Sequence, residues 1–398
     1  MSLSKFLIPV LPLGLLLGAC SGEPDDSGPG TSTDTGCKAD ADCAGTPDTP
    51  LCEVASAECA ALPPGHQLGW KDGSPGTVAL VVINETDKVR DAVDLAFNPS
   101  NPAQLWVLNR KDDSVIIIDD PGLPGVKWVR KRDPAASHFM NRPPAMAFGV
   151  VLPEWGQTFG VCGDGDNGGD DFMGPALFTA NLDIFAKQTP GGLGSHLDML
   201  HSTTFCRGIA HVEASIYFAF NSNKRSLDRY DFVVDHGPGN DDHADGRILR
   251  YVPGAVLGVD GIPSHLVHDP EGKQLYVADT GNKRIARLDT SSGVLGPAFA
   301  GPEPIKERRM VNDAVLVDVV PPGTLEAPSG IELHDDLIFV TDHATSRFYA
   351  FDLAGQQIRH LDTGLPPGSL AGFTFGPDDK IYFTDLLTSR VYRIDPLF

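Results

Sequence analysis

Three segments near the C-terminal end of the chain repeat one another, and a repeat of this length leaves few folds open. They are SHLVHDPEGKQLYVADTGNKRIARLD (264–289), SGIELHDDLIFVTDHATSRFYAFD (329–352) and AGFTFGPDDKIYFTDLLTSRVYRID (371–395). Each reads as a short apolar strand, a polar turn, an alternating strand ending in Asp, a polar turn with Arg, and a third alternating strand ending in Asp. The two acids lie ten residues apart every time: Asp279 and Asp289, Asp342 and Asp352, Asp385 and Asp395. The same spacing recurs upstream, between Asn109 and Asp119 and between Asn221 and Asp231. A sixth copy is expected around 145–148 and 176–181, broken by a long insertion at 151–173. The first strands of the six units should begin near Asp94, Ala145, Gly208, His265, Gly330 and Gly372.

A unit of three or four antiparallel strands cannot hide both of its apolar faces alone. Radial stacking hides them and leaves only short edges, so the expected fold is all-β, a six-bladed β-propeller. The 43 Gly and 33 Pro in 398 residues fit many short strands joined by turns. The alternation Leu275-Tyr276-Val277-Ala278 fits a strand packed between two neighbouring blades. A stray strand at 78–83 precedes the first unit. It is available to supply the outer strand of the last blade and lock the ring. The acids at the strand ends read as turn caps, because a residue type repeated in every blade is architecture.

ADTGNKRIARLD, with its copies, is similar to the NHL repeat, and the resemblance spans about residues 77–398. It implies a six-bladed propeller.

Ahead of the repeats the chain changes character. Lys5 precedes a 13-residue apolar run, Phe6 to Gly18, too short to span a bilayer and suited to a signal-peptide core. It ends in Leu17-Gly18-Ala19-Cys20, which resembles a bacterial lipobox. The resemblance implies a signal peptide over 1–19, lipid on Cys20 and a membrane anchor through it. Ser21, in place of Asp, implies the outer membrane, facing periplasm or exterior. Residues 20–36 read as a flexible polar tether. Cys37, Cys43, Cys52 and Cys59 define a small module at 37–59, whose spacings of five, eight and six residues do not match a zinc ribbon. Two disulfides, in any of three pairings, are expected there. A linker at 60–76 follows. Cys162 and Cys206 remain for a third disulfide in an oxidising compartment.

The balance of 31 basic against 53 acidic residues, net −22, argues against nucleic acid. HExxH, P-loop, G-x-S-x-G and CxxCH are absent. The lone GxGxxG, Gly163 to Gly168, lacks a strand–helix context. Its acids Asp164, Asp166 and Asp170 offer a calcium loop, against a plain solvated turn. Specificity should sit where one blade departs from the rest. His265 is the clearest exception, a titratable side chain where Gly recurs. Asp94, Arg207, His265 and His343 are therefore the candidate ligand residues at a channel mouth, with His201, His265 and His343 the candidate metal ligands, for zinc. The peptidyl-hydroxyglycine amidating lyases resemble NHL propellers and place zinc on histidines beside such strand starts. In this chain Pro263-Ser264-His265 is one residue off that pattern. Two readings stand: a monomeric binding propeller for a peptide, glycan or partner protein, and a metal-dependent lyase or lactone hydrolase.

Overall fold

The computed structural model describes residue 43 and residues 51–53, 58–69, 72–84, 89–166, 169 and 171–397. The expected signal peptide, Cys20, the tether, Cys37 and Asp170 lie outside the described residues. The chain divides into two units, residues 1–60 and 61–398. In the first, the strands Leu51–Glu53 and Glu58–Ala60 form a hairpin with Cys52 opposite Cys59. Cys59 is bonded to Cys43, and Cys52 is also in a disulfide.

The second unit is a six-bladed β-propeller. Its inner strands, blade I to blade VI, are Ala92–Asn98, Met146–Leu152, Cys206–Glu213, Leu266–Asp269, Pro328–His334 and Leu370–Phe375. Each starts within two residues of its expected position. Blade VI is completed by Val78–Asn84, which pairs antiparallel with Arg390–Pro396. The ring is thus closed by a strand from the start of the domain, as the stray apolar segment suggested.

Strand alternation builds the core. In the second strand of blade I, Leu105 and Val107 face blade VI, where they pack with Tyr382 and Val391. Trp106 and Leu108 face blade II, where they meet Phe159 and Phe178. In blade IV, Leu275 and Val277 pack against blade III, while Tyr276 and Ala278 pack against blade V. Six such clusters, one per junction, replace a single central core, because the period of two sends neighbouring side chains to opposite faces. The repeated acids hold the turns. Asp342 accepts from the backbone N–H groups of Glu326, Ala327, Ala344 and Thr345, and Asp279 from the Leu257 backbone N–H and the side-chain N–H groups of Asn282 and Arg284.

Three features differ from expectation. The stretch 151–173 is not a simple insertion: it contains the second strand of blade II, Gly156–Val161, and Ala176–Thr179 is the third strand. The strand was hidden because Val161 and Cys162 stand at its end in place of Asp. Residues 61–69, within the stretch expected as a linker at 60–76, lie along blades V and VI. Leu68 is buried there, and Gln67 donates to Asp379. Finally, blade III has six strands. The hairpin Val294–Ala298 and Glu307–Asn312 leaves blade IV and pairs parallel with Arg247–Tyr251.

Cys162 and Cys206 are joined, tying the second strand of blade II to the inner strand of blade III. The bridge closes a loop with a sequence separation of 44. Replacing both cysteines by Ala should lower stability by about 4 kcal/mol on the chain-entropy account. Urea denaturation measures this, and an unchanged midpoint would mean the neighbouring contacts alone hold the junction.

Candidate functional site

The inner strands of all six blades line one cavity of about 310 Å³ on the propeller axis. Exposure grades along it. Asp94, Met146, His265 and Leu266, near the strand starts, are buried. Phe97, Phe148, His211, His268 and Phe375, further along the strands, are partly exposed. The mouth therefore lies at the ends of the inner strands, and Asp94 and His265 form the floor.

Glycines make that floor. A Cβ on Gly208 would lie under 3.0 Å from the Ser264 carbonyl, one on Gly330 from the Ala371 carbonyl, and one on Gly372 from the Val93 carbonyl and Asp94. Blades III, V and VI thus approach their neighbours backbone to backbone. Ser264 N–H donates to the Arg207 carbonyl at 2.8 Å, and His265 N–H to the Ser329 carbonyl at 2.9 Å. Only blades I and IV place a large polar side chain at this level, and the two meet. His265 Nδ1 is 3.7 Å from Asp94 Oδ1. Its Nε2 donates to the Pro144 carbonyl at 3.1 Å, which fixes that proton. Asp94 accepts from the N–H groups of Met146 at 2.8 Å and Leu95 at 2.9 Å. Burial raises the Asp94 pKa above the usual carboxylate range, with His265 opposing.

Glu332, on the inner strand of blade V, also lines the cavity. Burial, with the Asp94 carboxylate adding to it, pushes its pKa up to about 8. At neutral pH it holds its proton and can donate a hydrogen bond. Burial lowers the pKa values of His211 and His268, so the imidazoles at the mouth favour their neutral form. The cavity combines an aromatic mouth with a floor of hydrogen-bonding groups, an arrangement that seats an apolar or ring-shaped group and orients a polar end.

The other expected site residues lie elsewhere. Arg207 is buried, paired with Asp164 and, at 2.8 Å, with Asp260, so it pins loops of blades II and IV. His343 donates through Nδ1 to the Leu370 carbonyl at 2.8 Å and does not line the cavity. His201 hydrogen-bonds through Nδ1 to Glu303, on the hairpin that extends blade III. Of the acidic loop, Asp164 is answered by Arg207, and Asp171 by Lys224 at 2.8 Å. Asp166 lines a separate surface hollow beside them. Among the described residues, three groups of histidine and carboxylate atoms come within 4.8 Å of one another, and none contains His265 or His343. The sequence reading did not single out Glu332. Its signal was a lone acid in the apolar strand Ser329-Gly330-Ile331-Glu332.

No protein-family model matches the sequence, and no curated protein matches it. Among solved structures, the chain is similar to an auxiliary nutrient binding protein from Bacteroides ovatus ATCC 8483, at 13% identity over 81% of this chain and 77% of that one, with a TM-score of 0.52. It is also similar to a luciferin-regenerating enzyme, at 11% identity over 80% of this chain and 96% of that one, with a TM-score of 0.49. The first likeness shows the fold alone. Fold and site together define a six-bladed propeller with one axial cavity.

A carboxyl group with a raised folded pKa stabilises the fold fully below its unfolded value and loses that contribution as pH rises through the folded value. Glu332 should therefore cost the native state stability between about pH 4.5, where the unfolded chain ionises, and about 8. Glu332→Gln should gain on the parent protein across that window and level off above it, by roughly 2 kcal/mol because cavity water screens part of the penalty. Urea denaturation at pH 5, 7 and 9 tests this, and parallel stability curves for the two proteins would contradict it.

Proposed function

We propose that this chain is a lipid-anchored propeller of the bacterial envelope that binds part of a peptide, glycan or partner protein in its axial cavity without transforming it. The observation that carries this reading is the cavity lining: Phe97, Phe148 and Phe375 at the mouth, the protonated Glu332 on the wall, and the Asp94–His265 pair at the floor. Aromatic walls give apolar or sugar-ring contact, and the floor gives direction. Propellers host both binding and catalysis, so the fold does not choose. The lyase or lactone hydrolase reading needs a metal on the axis. Against it, none of the close groups of potential metal ligands among the described residues contains an axial residue.

The test uses the full chain, purified in detergent, against arrays of short peptides and oligosaccharides. Saturable one-to-one binding is expected, weakened at least about tenfold by Phe148→Ala and by Glu332→Gln, with ligand recovered unchanged by mass spectrometry. Binding insensitive to both substitutions would move the site off the axis. Consumption of the ligand would favour the enzyme.

Anchoring is tested separately. Cys20→Ser should leave a precursor that no longer partitions with membranes, since the lipid is attached through that thiol. A variant that still fractionates with the outer membrane would refute the anchor.

A further inference from the structure

Four histidines from two stretches of the chain, 196–201 and 236–243, gather where blades II and III meet, away from the axial cavity. His196 lies just before the outer strand of blade II, Asp198–Met199. His236 and His243 lie in the loop between the third and fourth strands of blade III. One ring nitrogen each from His196, His236 and His243 lies within 4.8 Å of the other two. The fourth, His201, stands beside them, its ring 5.8 Å from that of His243.

The hydrogen bonds separate the two nitrogens of each ring. His196 Nδ1 donates to the Leu193 carbonyl at 2.9 Å, His236 Nδ1 to the Gly237 carbonyl at 2.8 Å, and His243 Nδ1 bonds Glu303 at 3.0 Å. Glu303 is itself held by Arg308 at 3.2 Å and by His201. The three Nε2 atoms are buried and have no hydrogen-bond partner. Three buried acceptors left empty would be costly, yet the loops are built to bring them together. His236 N–H donates to the Leu197 carbonyl and Gly239 N–H to the His196 carbonyl, so the blade III loop is stitched onto the blade II segment. Gly237 and Gly239, at φ 76° and 73°, supply the left-handed turns that the stitching requires.

We propose that the Nε2 atoms of His196, His236 and His243 hold a divalent transition-metal ion of the zinc type. Nδ1–H bonded to a carbonyl or carboxylate, with Nε2 left free, is the arrangement that orients imidazole ligands. Asp241 Oδ1 stands 3.5 Å from His243 Nε2. Neutral imidazole is the ligating form. Zinc–nitrogen bonds of about 2.0–2.1 Å require the rings to close by only about an ångström or so. The ion would clip the 232–246 loop to blade II. This site is independent of ligand binding on the axis.

The probe is metal alone. Full-length untagged protein, stripped with chelator and dialysed against Co²⁺, should retain one equivalent and show the visible bands of a tetrahedral centre. Zn²⁺ should displace it and raise Tm. His236→Ala and His196→Asn should each lose the cobalt spectrum, while melting like the stripped parent protein. Failure of the parent protein to retain cobalt, or equal retention by both variants, would overturn the site.

Discussion

The constraint on which the axis of this molecule depends is the meeting of inner strands around it. At Gly208, Gly330 and Gly372 the next blade stands where a Cβ would be, so these blades can join the ring only without a side chain there. Everything else about the axis follows. Because half of the ring is closed by glycine, the two polar side chains that interrupt it, Asp94 and His265, are forced together and become a floor rather than a rim. The cavity opens away from them, toward the ends of the strands. The same glycines that define the repeat thus decide on which face of the propeller the cavity opens.

Much of this architecture was legible. A period of two with apolar residues on both faces, as in Leu275 to Ala278, has few solutions other than a strand between two blades. The Asp spacing located turns because carboxylates at strand ends accept amide protons that would otherwise be unpaired. Blade II was only partly legible because its second strand runs into a cysteine that makes a disulfide, so the polar marker was gone. The six-stranded blade III was hidden for a different reason. Its extra hairpin belongs by sequence to blade IV, and a parallel pairing across a blade junction leaves no local pattern.

The site was legible by its exceptions and illegible by its direction. A titratable residue where Gly recurs singled out His265, and the fold sets it beside Asp94, from the matching position of blade I. Their orientation depended on which end of the channel is closed, a property of backbone approach and not of residue type. Arg207 and His343 shared the same face by topology, but a nearer partner claimed each side chain. Asp164 and Asp260 took the guanidinium, and the Leu370 carbonyl took the imidazole.

The histidine cluster was out of reach of sequence reasoning because three separate segments meet in it: 193–201, 236–243 and the Glu303 hairpin. Its position nevertheless has a physical logic. Blade II ends in an outer strand of only two residues, Asp198–Met199, which contributes little ladder bonding. The junction with blade III compensates with non-repeating links: the Cys162–Cys206 bridge, the Arg207–Asp164 pair and the Trp155–Asp235 bond at 2.7 Å. A metal clip would be one more link of the same kind, at the same junction. The cost of leaving three buried imidazole nitrogens unpaired is reasonable only if something occupies the space between them. Stability at that junction and occupancy of the histidines are then one question.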